Sequence, residues 1–138
     1  MKTITLYRPI GEKEMILITE SGYKKFPPRL EWQPIFYPVL NEEYACEIAS
    51  QWNTNDEFGN YLGFVTKFTI SLAEYSKYEV KQVGGSIHEE LWVPSEKLTI
   101  FNESIIGEIE VTKVFIGELF KTPANETIQN IINKVKNK

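Results

Sequence analysis

The chain has 138 residues, of which 42% are hydrophobic and 13% aromatic, and these values predict one globular domain with its own core. The formal net charge of −4 disfavours broad binding to nucleic-acid phosphates. No apolar run approaches the ~20 residues that cross a bilayer, and the first residues lack the apolar core of a signal peptide. We therefore expect a cytoplasmic protein with neither a nucleic-acid nor a membrane partner.

The first third of the chain predicts a strand, a helix and a loop. "TITLYR" is rich in β-branched residues and stands before Pro9, so it predicts a strand that ends on Arg8. "GEKEMILITESG" predicts a helix of about three turns, with Gly22 in the position that follows a helix end. "FPPRLEWQP" holds three prolines and predicts a surface loop anchored by Phe26 and Trp32.

A second helix is predicted after the short apolar run "IFYPV". In "NEEYACEIASQW" the side chain of Asn41 suits the N-cap, and two glutamates occupy the first turn. Four-residue spacing predicts the buried face of this helix, which consists of Tyr44, Ala45, Ile48, Ala49 and Trp52.

The second half of the chain predicts two long strands with shorter elements between them. "YLGFVTKFTI" is the first, with Gly63 at a bulge or a close contact, and "SLAEYSKY", "HEELWV" and "PSEKLTIFNES" follow as a helical turn, a strand and a short helix. In "IIGEIEVTKVFIGELF" a twist or bulge is needed, because Ile109, Val111 and Val114 cannot otherwise share one face. This irregular order of strands and helices predicts the α+β class.

The tail predicts an amphipathic helix. Apolar residues recur at helical spacing in "NETIQNIINKVKNK", namely at Ile128, Ile131, Ile132 and Val135. We expect residues 1–120 to form a single α+β domain and residues 121–138 to form a C-terminal helix that docks on it or on a protein partner.

Several familiar kinds of site are excluded by residue content. With Cys46 and His88 each the only residue of its type, the chain can form neither an internal disulfide nor a common zinc site, and no metal site is predicted. Cys46 lies in the second predicted helix, which favours a small buried residue over a nucleophile. No phosphate-binding glycine loop, Gly-x-Ser-x-Gly elbow or His-Glu-x-x-His motif occurs.

Three residue types remain that suit chemistry at a glycosidic bond. Arg8 could hold a diphosphate through paired hydrogen bonds, and the ring of Tyr37 could stack on a flat heterocycle. Glu90 could stabilise a ribosyl cation as the base departs. The plainer alternatives are a surface salt bridge for Arg8 and core packing for Tyr37 and Trp52.

The segments "LYRPIG", "FPPRL", "QPIFYPVLNEEYACEIASQWN", "VGGSIHEELWVP" and "FNESIIGEIEV" resemble a family of small bacterial proteins. Its members often carry the label "ADP-ribosylation/crystallin J1", and the similarity extends over residues 4–118. A more distant resemblance is to the ADP-ribosyltransferase fold, a mixed or antiparallel split β-sandwich with flanking helices that binds NAD in a cleft. Arg8 matches the arginine of the first strand, and "FYPVLNEEYACEIA" is similar to the aromatic segment that enters a helix.

The resemblance also implies roles for the late strand. In the arginine-type enzymes this strand opens on Glu-x-Glu, followed by three residues and a proline, and the spacing to Pro94 places Glu90 at the second acid. His88 stands where the first acid would be, so it would share the face of Glu90 at the rim of the cleft and steer the acceptor. Glu89 points to the opposite side.

NAD would then be the substrate, with no cofactor required. Arg8 would contact phosphate or ribose, Tyr37 would pack on the nicotinamide, and Trp52 would belong to the same binding site. A related NAD-cleaving toxin group uses an arginine in a loop and a glutamate in a helix, and Arg29 and Glu47 match these two residues.

Two functions therefore remain open. The first is NAD binding, with transfer of ADP-ribose or cleavage of the nicotinamide–ribose bond. The second is a non-catalytic interaction module with a degenerate cleft, in which the C-terminal helix or "FPPRLEWQP" binds a protein partner. Convergence of Arg8, Tyr37 and Glu90 on one concave site would favour the first.

Overall fold

A computed structural model describes residues 1–136 and has the mixed α+β architecture that the sequence predicts. Within these residues there are two three-stranded antiparallel sheets and five α-helices. The strands are β1 (Thr3–Ile10), β2 (Ile35–Phe36), β3 (Leu62–Ser71), β4 (Glu79–Gln82), β5 (Glu89–Pro94) and β6 (Ile105–Ile116). The helices are α1 (Glu12–Glu20), α2 (Glu42–Gln51), α3 (Leu72–Tyr75), α4 (Leu98–Glu103) and α5 (Glu126–Lys136).

The two sheets have the strand orders β1-β3-β6 and β2-β5-β4. Residues 38–40 connect them, because Val39 forms a bridge to Tyr7 at the edge of β1 and another to Glu90 in β5. The backbone N–H of Tyr7 donates to the carbonyl of Val39 at 3.0 Å, and the N–H of Leu91 donates to the carbonyl of Pro38 at 2.9 Å. The start of β5 is thereby held close to β1.

Strand β1 is longer than predicted, since it continues through Pro9 to Ile10. It lies at the edge of its sheet, where Pro9 is paired with Val65 of β3 on one side only. The N–H of Tyr7 points away from β3 toward Val39, and strand alternation gives the nitrogen of Pro9 the same direction. Proline therefore removes no bond from the ladder here, which is the position in a sheet that tolerates it.

Helix α1 ends as the sequence predicts. Gly22 has a φ of +75°, and the N–H of Tyr23 returns to the carbonyl of Ile18 at 3.0 Å. Because glycine adopts this left-handed conformation without a Cβ clash, it closes the helix at little cost.

Helix α2 begins at the predicted cap, but the prediction of its buried face is wrong in part. The N–H of Tyr44 donates to Oδ1 of Asn41 at 2.8 Å. Ala45 and Ala49 are fully buried, whereas Trp52 is 71% exposed. At Ala49 the helix lies too close to β3 for a large side chain, as a Cβ on Gly63 would come within 2.7 Å of the carbonyl oxygen of Ala49.

The proline-rich segment is a loop with one anchor instead of two. Phe26 is buried against Phe36 and Phe68, with ring centroids 5.2 and 4.9 Å away. Trp32 is 76% exposed, so its predicted anchoring role is wrong. The loop thus leaves an indole at the surface.

Strand β6 has the irregularity that its sequence requires. Its pairing with β3 shifts register between Val65 and Thr66 and again between Lys67 and Thr69, and Ile109 is buried.

The tail forms α5, which contacts α1 and β6 and buries Ile128, Ile132 and Val135. Residues 137 and 138, which the predicted helix includes, lie outside the described residues. Within residues 1–136, no helix is long and apolar enough to cross a membrane.

Candidate functional site

Two adjoining cavities lie where β1, the proline-rich loop and β5 meet. The first, the Arg8 cavity, has a volume of about 490 Å³, and the second, the Glu90 cavity, about 540 Å³. Arg29, Gln33 and Tyr37 line both of them. We refer to the two together as the candidate cleft.

Arg8 lines the first cavity but is already paired. Its Nε donates to Oε2 of Glu14 at 2.8 Å and its Nη2 to Oε1 of Glu14 at 3.1 Å, which is a two-point contact. Its guanidinium carbon lies 4.7 Å from the ring centroid of Phe36. The charge of Arg8 is therefore balanced within the protein. Arg8 thus forms a salt bridge, as the plainer alternative predicted, but a buried one and not one at the surface.

Arg29 supplies the unbalanced positive charge of the cleft. Its Nε donates to the carbonyl of Ile35 at 3.1 Å, and it forms no ion pair within residues 1–136. Burial lowers the pKa of Arg29, and the nearby positive charge of Arg8 lowers it further. Such a guanidinium favours an anionic ligand, because an anion would offset both effects.

Glu90 supplies the unbalanced negative charge. It is only 9% exposed, and its carboxylate accepts a hydrogen bond from the hydroxyl of Tyr44 at 2.6 Å and one from Nε1 of Trp92 at 3.0 Å. Two other buried charged groups have ionic partners, Arg8 with Glu14 and Glu74 with a lysine. Among the described residues Glu90 has neutral donors only. It resides in β5, where alternation turns Leu91 into the core and Glu90 toward the cleft.

His88, which the resemblance implies at the rim of the cleft, lines neither of the two cavities. Its Nδ1 accepts a hydrogen bond from the N–H of Gly85 at 2.9 Å, which places the ring proton on Nε2. Nε2 then donates to Oε1 of Glu47 at 3.0 Å. With both ring nitrogens engaged, His88 has no free atom for acid–base catalysis.

Aromatic side chains border the cleft. Tyr37 is 42% exposed between the two cavities, and the guanidinium carbon of Arg29 lies 5.8 Å from its ring centroid. Trp52 borders the Arg8 cavity, and Trp32 and Trp92 border the Glu90 cavity. Tyr37 and Trp52 are thus surface residues and not core residues.

The Arg8 cavity also contains one unused acceptor. Asn53 and Asp56 line it, and Oδ1 of Asn53 is buried without a hydrogen-bond partner within residues 1–136. A buried acceptor of this kind favours a ligand that can donate a hydrogen bond, such as a hydroxyl or an amino group.

The structure brings together Arg8, Tyr37 and Trp52 in one cavity and Tyr37 with Glu90 in the next. Sequence reasoning missed Tyr44 and Trp92 as partners of Glu90. Trp92 stands two residues after Glu90, and in a strand this spacing puts both side chains on one face, which could have suggested the contact. No sequence signal links Tyr44 to Glu90, since 46 residues separate them.

Other potentially reactive groups lie elsewhere. Cys46 is half-buried on α2, where burial raises the pKa of its thiol, which agrees with a packing role. A larger apolar groove between α1 and α4 is bordered by Leu17, Phe26 and Leu98, but its charged side chains are exposed and unfixed. The candidate cleft is therefore a stronger candidate for a functional site than this groove.

Comparisons with protein-family models, with curated proteins and with solved structures gave no match to this chain. The function is therefore inferred from the candidate cleft.

Proposed function

We propose that the protein binds NAD in the candidate cleft and acts on its nicotinamide–ribose bond, either by transferring ADP-ribose or by hydrolysis. The observation that carries the proposal is the pair of unbalanced charges in adjoining cavities, the carboxylate of Glu90 and the guanidinium of Arg29. NAD has the complementary pattern, because a cationic pyridinium ring and an anionic diphosphate flank one ribose.

The surroundings of each charge support this orientation. Tyr37, Trp32 and Trp92 border the Glu90 cavity, and aromatic faces attract a flat cation. The diphosphate would lie at Arg29, with Arg8 behind it, and the remaining nucleoside would face Trp52 and the free acceptor of Asn53. Two antiparallel sheets, with Arg8 on the first strand and Glu90 on a late one, also support a fold related to the ADP-ribosyltransferase sandwich.

Glu90 would act on the transition state. As the bond between ribose C1′ and the nicotinamide nitrogen breaks, the electron pair leaves with nicotinamide and positive charge develops at the ribose. A carboxylate that is not engaged in an ion pair stabilises this charge. Water or an acceptor nucleophile then forms a bond to C1′ and releases a proton to solvent. The reaction is complete with NAD and this nucleophile, and it needs no further cofactor.

Nicotinamide release and thermal shift with NAD test the proposal. We expect Glu90→Gln to abolish turnover while NAD still raises the melting temperature, because the charge acts mainly on the developing cation. Glu89→Gln, the matched control one residue away, should retain turnover. Arg29→Gln should weaken the thermal shift. Full activity in Glu90→Gln, or equal loss in both glutamate variants, would refute the catalytic role.

One observation favours a second function, a non-catalytic interaction module. Leu30 and Trp32 expose apolar surface on the proline-rich loop, and such residues are common at protein interfaces. The apolar face of α5 is buried against the domain, which leaves this loop as the partner surface. If neither NAD nor any nucleotide shifts the melting temperature, this second function becomes the better one.

A further inference from the structure

We infer that Tyr44 is a positioning residue for Glu90, and that His88, held by Glu47 and the Gly84–Gly85 turn, keeps Tyr44 in place. The inference rests on the proposed function, because it assigns the groups that orient the proposed catalytic carboxylate. It also assigns a structural role to the residues of "VGGSIHEE" that precede Glu90.

The carboxylate of Glu90 is fixed by two donors on different oxygens. The Tyr44 hydroxyl donates to Oε2 and the Trp92 indole donates to Oε1. One donor would leave the carboxylate free to rotate, whereas two define its plane. Burial raises the pKa of Tyr44, and the hydrogen bond to Glu90 raises it further, so the phenol keeps its proton and remains a donor at neutral pH.

Tyr44 is in turn fixed at its backbone. It lies in the first turn of α2, where its N–H donates to the Asn41 side chain. The same Asn41 donates from Nδ2 to the carbonyl of Ile87 at 2.6 Å. One side chain therefore links the start of α2 to the residue before His88.

The ring of Tyr44 is supported by the ring of His88. The two ring centroids are 4.7 Å apart, with the planes inclined by 41°. His88 is held from both sides, by the Gly85 N–H at Nδ1 and by the Glu47 carboxylate at Nε2. A Cβ on Gly84 would collide with Nδ1 of His88, so a larger residue at this point would displace the imidazole ring.

These contacts form a chain from the turn through His88 and Tyr44 to Glu90. They also explain why neither ring nitrogen of His88 faces the cleft. His88 acts on the carboxylate only through Tyr44.

Tyr44→Phe removes the hydroxyl and keeps the ring, and Tyr75→Phe is the matched control. Tyr75 is also partly buried, and burial raises its pKa, but it lies in α3, lines neither cavity and is near Glu89 instead of Glu90. In the full-length protein labelled with ¹³C at glutamate carboxyls, Glu90→Gln assigns the Glu90 signal. We expect this signal to move in Tyr44→Phe at neutral pH and to stay in place in Tyr75→Phe.

Steady-state kinetics of nicotinamide release provide the second readout. A hydrogen bond to a charged group typically changes an equilibrium by about ten- to a hundredfold, so we expect kcat to fall by about that factor in Tyr44→Phe. KM should change by less than about threefold, since NAD contacts Glu90 and not Tyr44. A loss confined to KM would overturn the positioning role.

A double-variant cycle tests the link to His88. His88→Ala should lower kcat in the same sense as Tyr44→Phe, and the double variant should be no worse than Tyr44→Phe alone, because both act on one hydrogen bond. Additive losses would show that His88 acts by another route. If the wild-type protein releases no nicotinamide, the proposed function fails, but the Glu90 carboxyl signal still decides the inference. An unchanged signal in Tyr44→Phe overturns it.

Discussion

Replacement of Gly63 by alanine tests how closely α2 lies on the central strand. A Cβ at this position would come within 2.7 Å of the carbonyl oxygen of Ala49, 2.9 Å of its Cβ and 3.0 Å of its Cα. Two of these atoms are backbone, so no side-chain rotation can relieve the contact. The helix must move away from β3 or the strand must bend.

The expected loss lies at the upper end of the range for overpacked cores, about 2–3 kcal/mol in the free energy of unfolding. An unfolding entropy of about 2.1 cal/mol/K per residue gives about 0.3 kcal/mol/K for 138 residues. The melting temperature of Gly63→Ala should therefore fall by about 7–10 °C. Since α2 carries Tyr44, its displacement should also lower the NAD turnover that we propose.

Calorimetry or circular dichroism measures the melting temperature, and urea unfolding gives the free energy independently. Gly85→Ala is the control, because its nearest neighbouring atom would be at 3.8 Å and the N–H donor to His88 is kept. We expect this control to change stability by less than about 0.5 kcal/mol. If Gly63→Ala melts within about 2 °C of wild type, the close contact between α2 and β3 is wrong.

Two further predictions concern buried charges. Glu14→Gln should lower the free energy of unfolding by about 2 kcal/mol, because it removes the anionic partner of the buried guanidinium of Arg8. It should also tighten the proposed binding of NAD, measured by calorimetry, since the guanidinium of Arg8 would then be free to pair with the diphosphate, and weaker binding would contradict this. Although burial alone would raise the pKa of Glu74, hydrogen bonds from Tyr78 and a neighbouring lysine lower it below the ordinary 4.5. The contribution of Glu74 to the free energy of unfolding should thus be fully present above pH 4.5 and be lost as the pH falls below this value. In urea unfolding, Glu74→Gln should therefore lower the free energy of unfolding by about 1–2 kcal/mol at neutral pH and should not change it in acid.

Features that depend on neighbours along the chain could be predicted from the sequence. Gly22 ends α1 and Asn41 caps α2 because both act on backbone groups within a few residues. The opposite orientations of Glu90 and Leu91 follow from strand alternation. The apolar stripe of α5 likewise predicted the burial of Ile128, Ile132 and Val135, whereas Ile131, predicted with them, is only partly buried.

The exposure of individual side chains depended on what packs opposite them. Four-residue spacing predicted a buried Trp52, but this residue caps the end of α2 and is exposed, whereas Ala49 is buried against Gly63 of β3. Pro9 indicated a strand end, but the edge position of β1 leaves its nitrogen on the unpaired side. Both outcomes are set by the placement of whole elements, which local patterns do not encode.

The chemistry of the candidate site was decided almost entirely by tertiary structure. The sequence predicted that Arg8 and Glu90 belong to the site. It did not predict that Glu14 neutralises Arg8 or that Glu90 accepts hydrogen bonds from neutral donors only. The Tyr44 hydroxyl reaches Glu90 across 46 residues, and Arg29 enters the cleft from a loop without regular structure. The packing of the two sheets and α2 determines which residues far apart in the chain come into contact. Interactions between neighbouring residues cannot determine this, because they do not favour one distant partner over another.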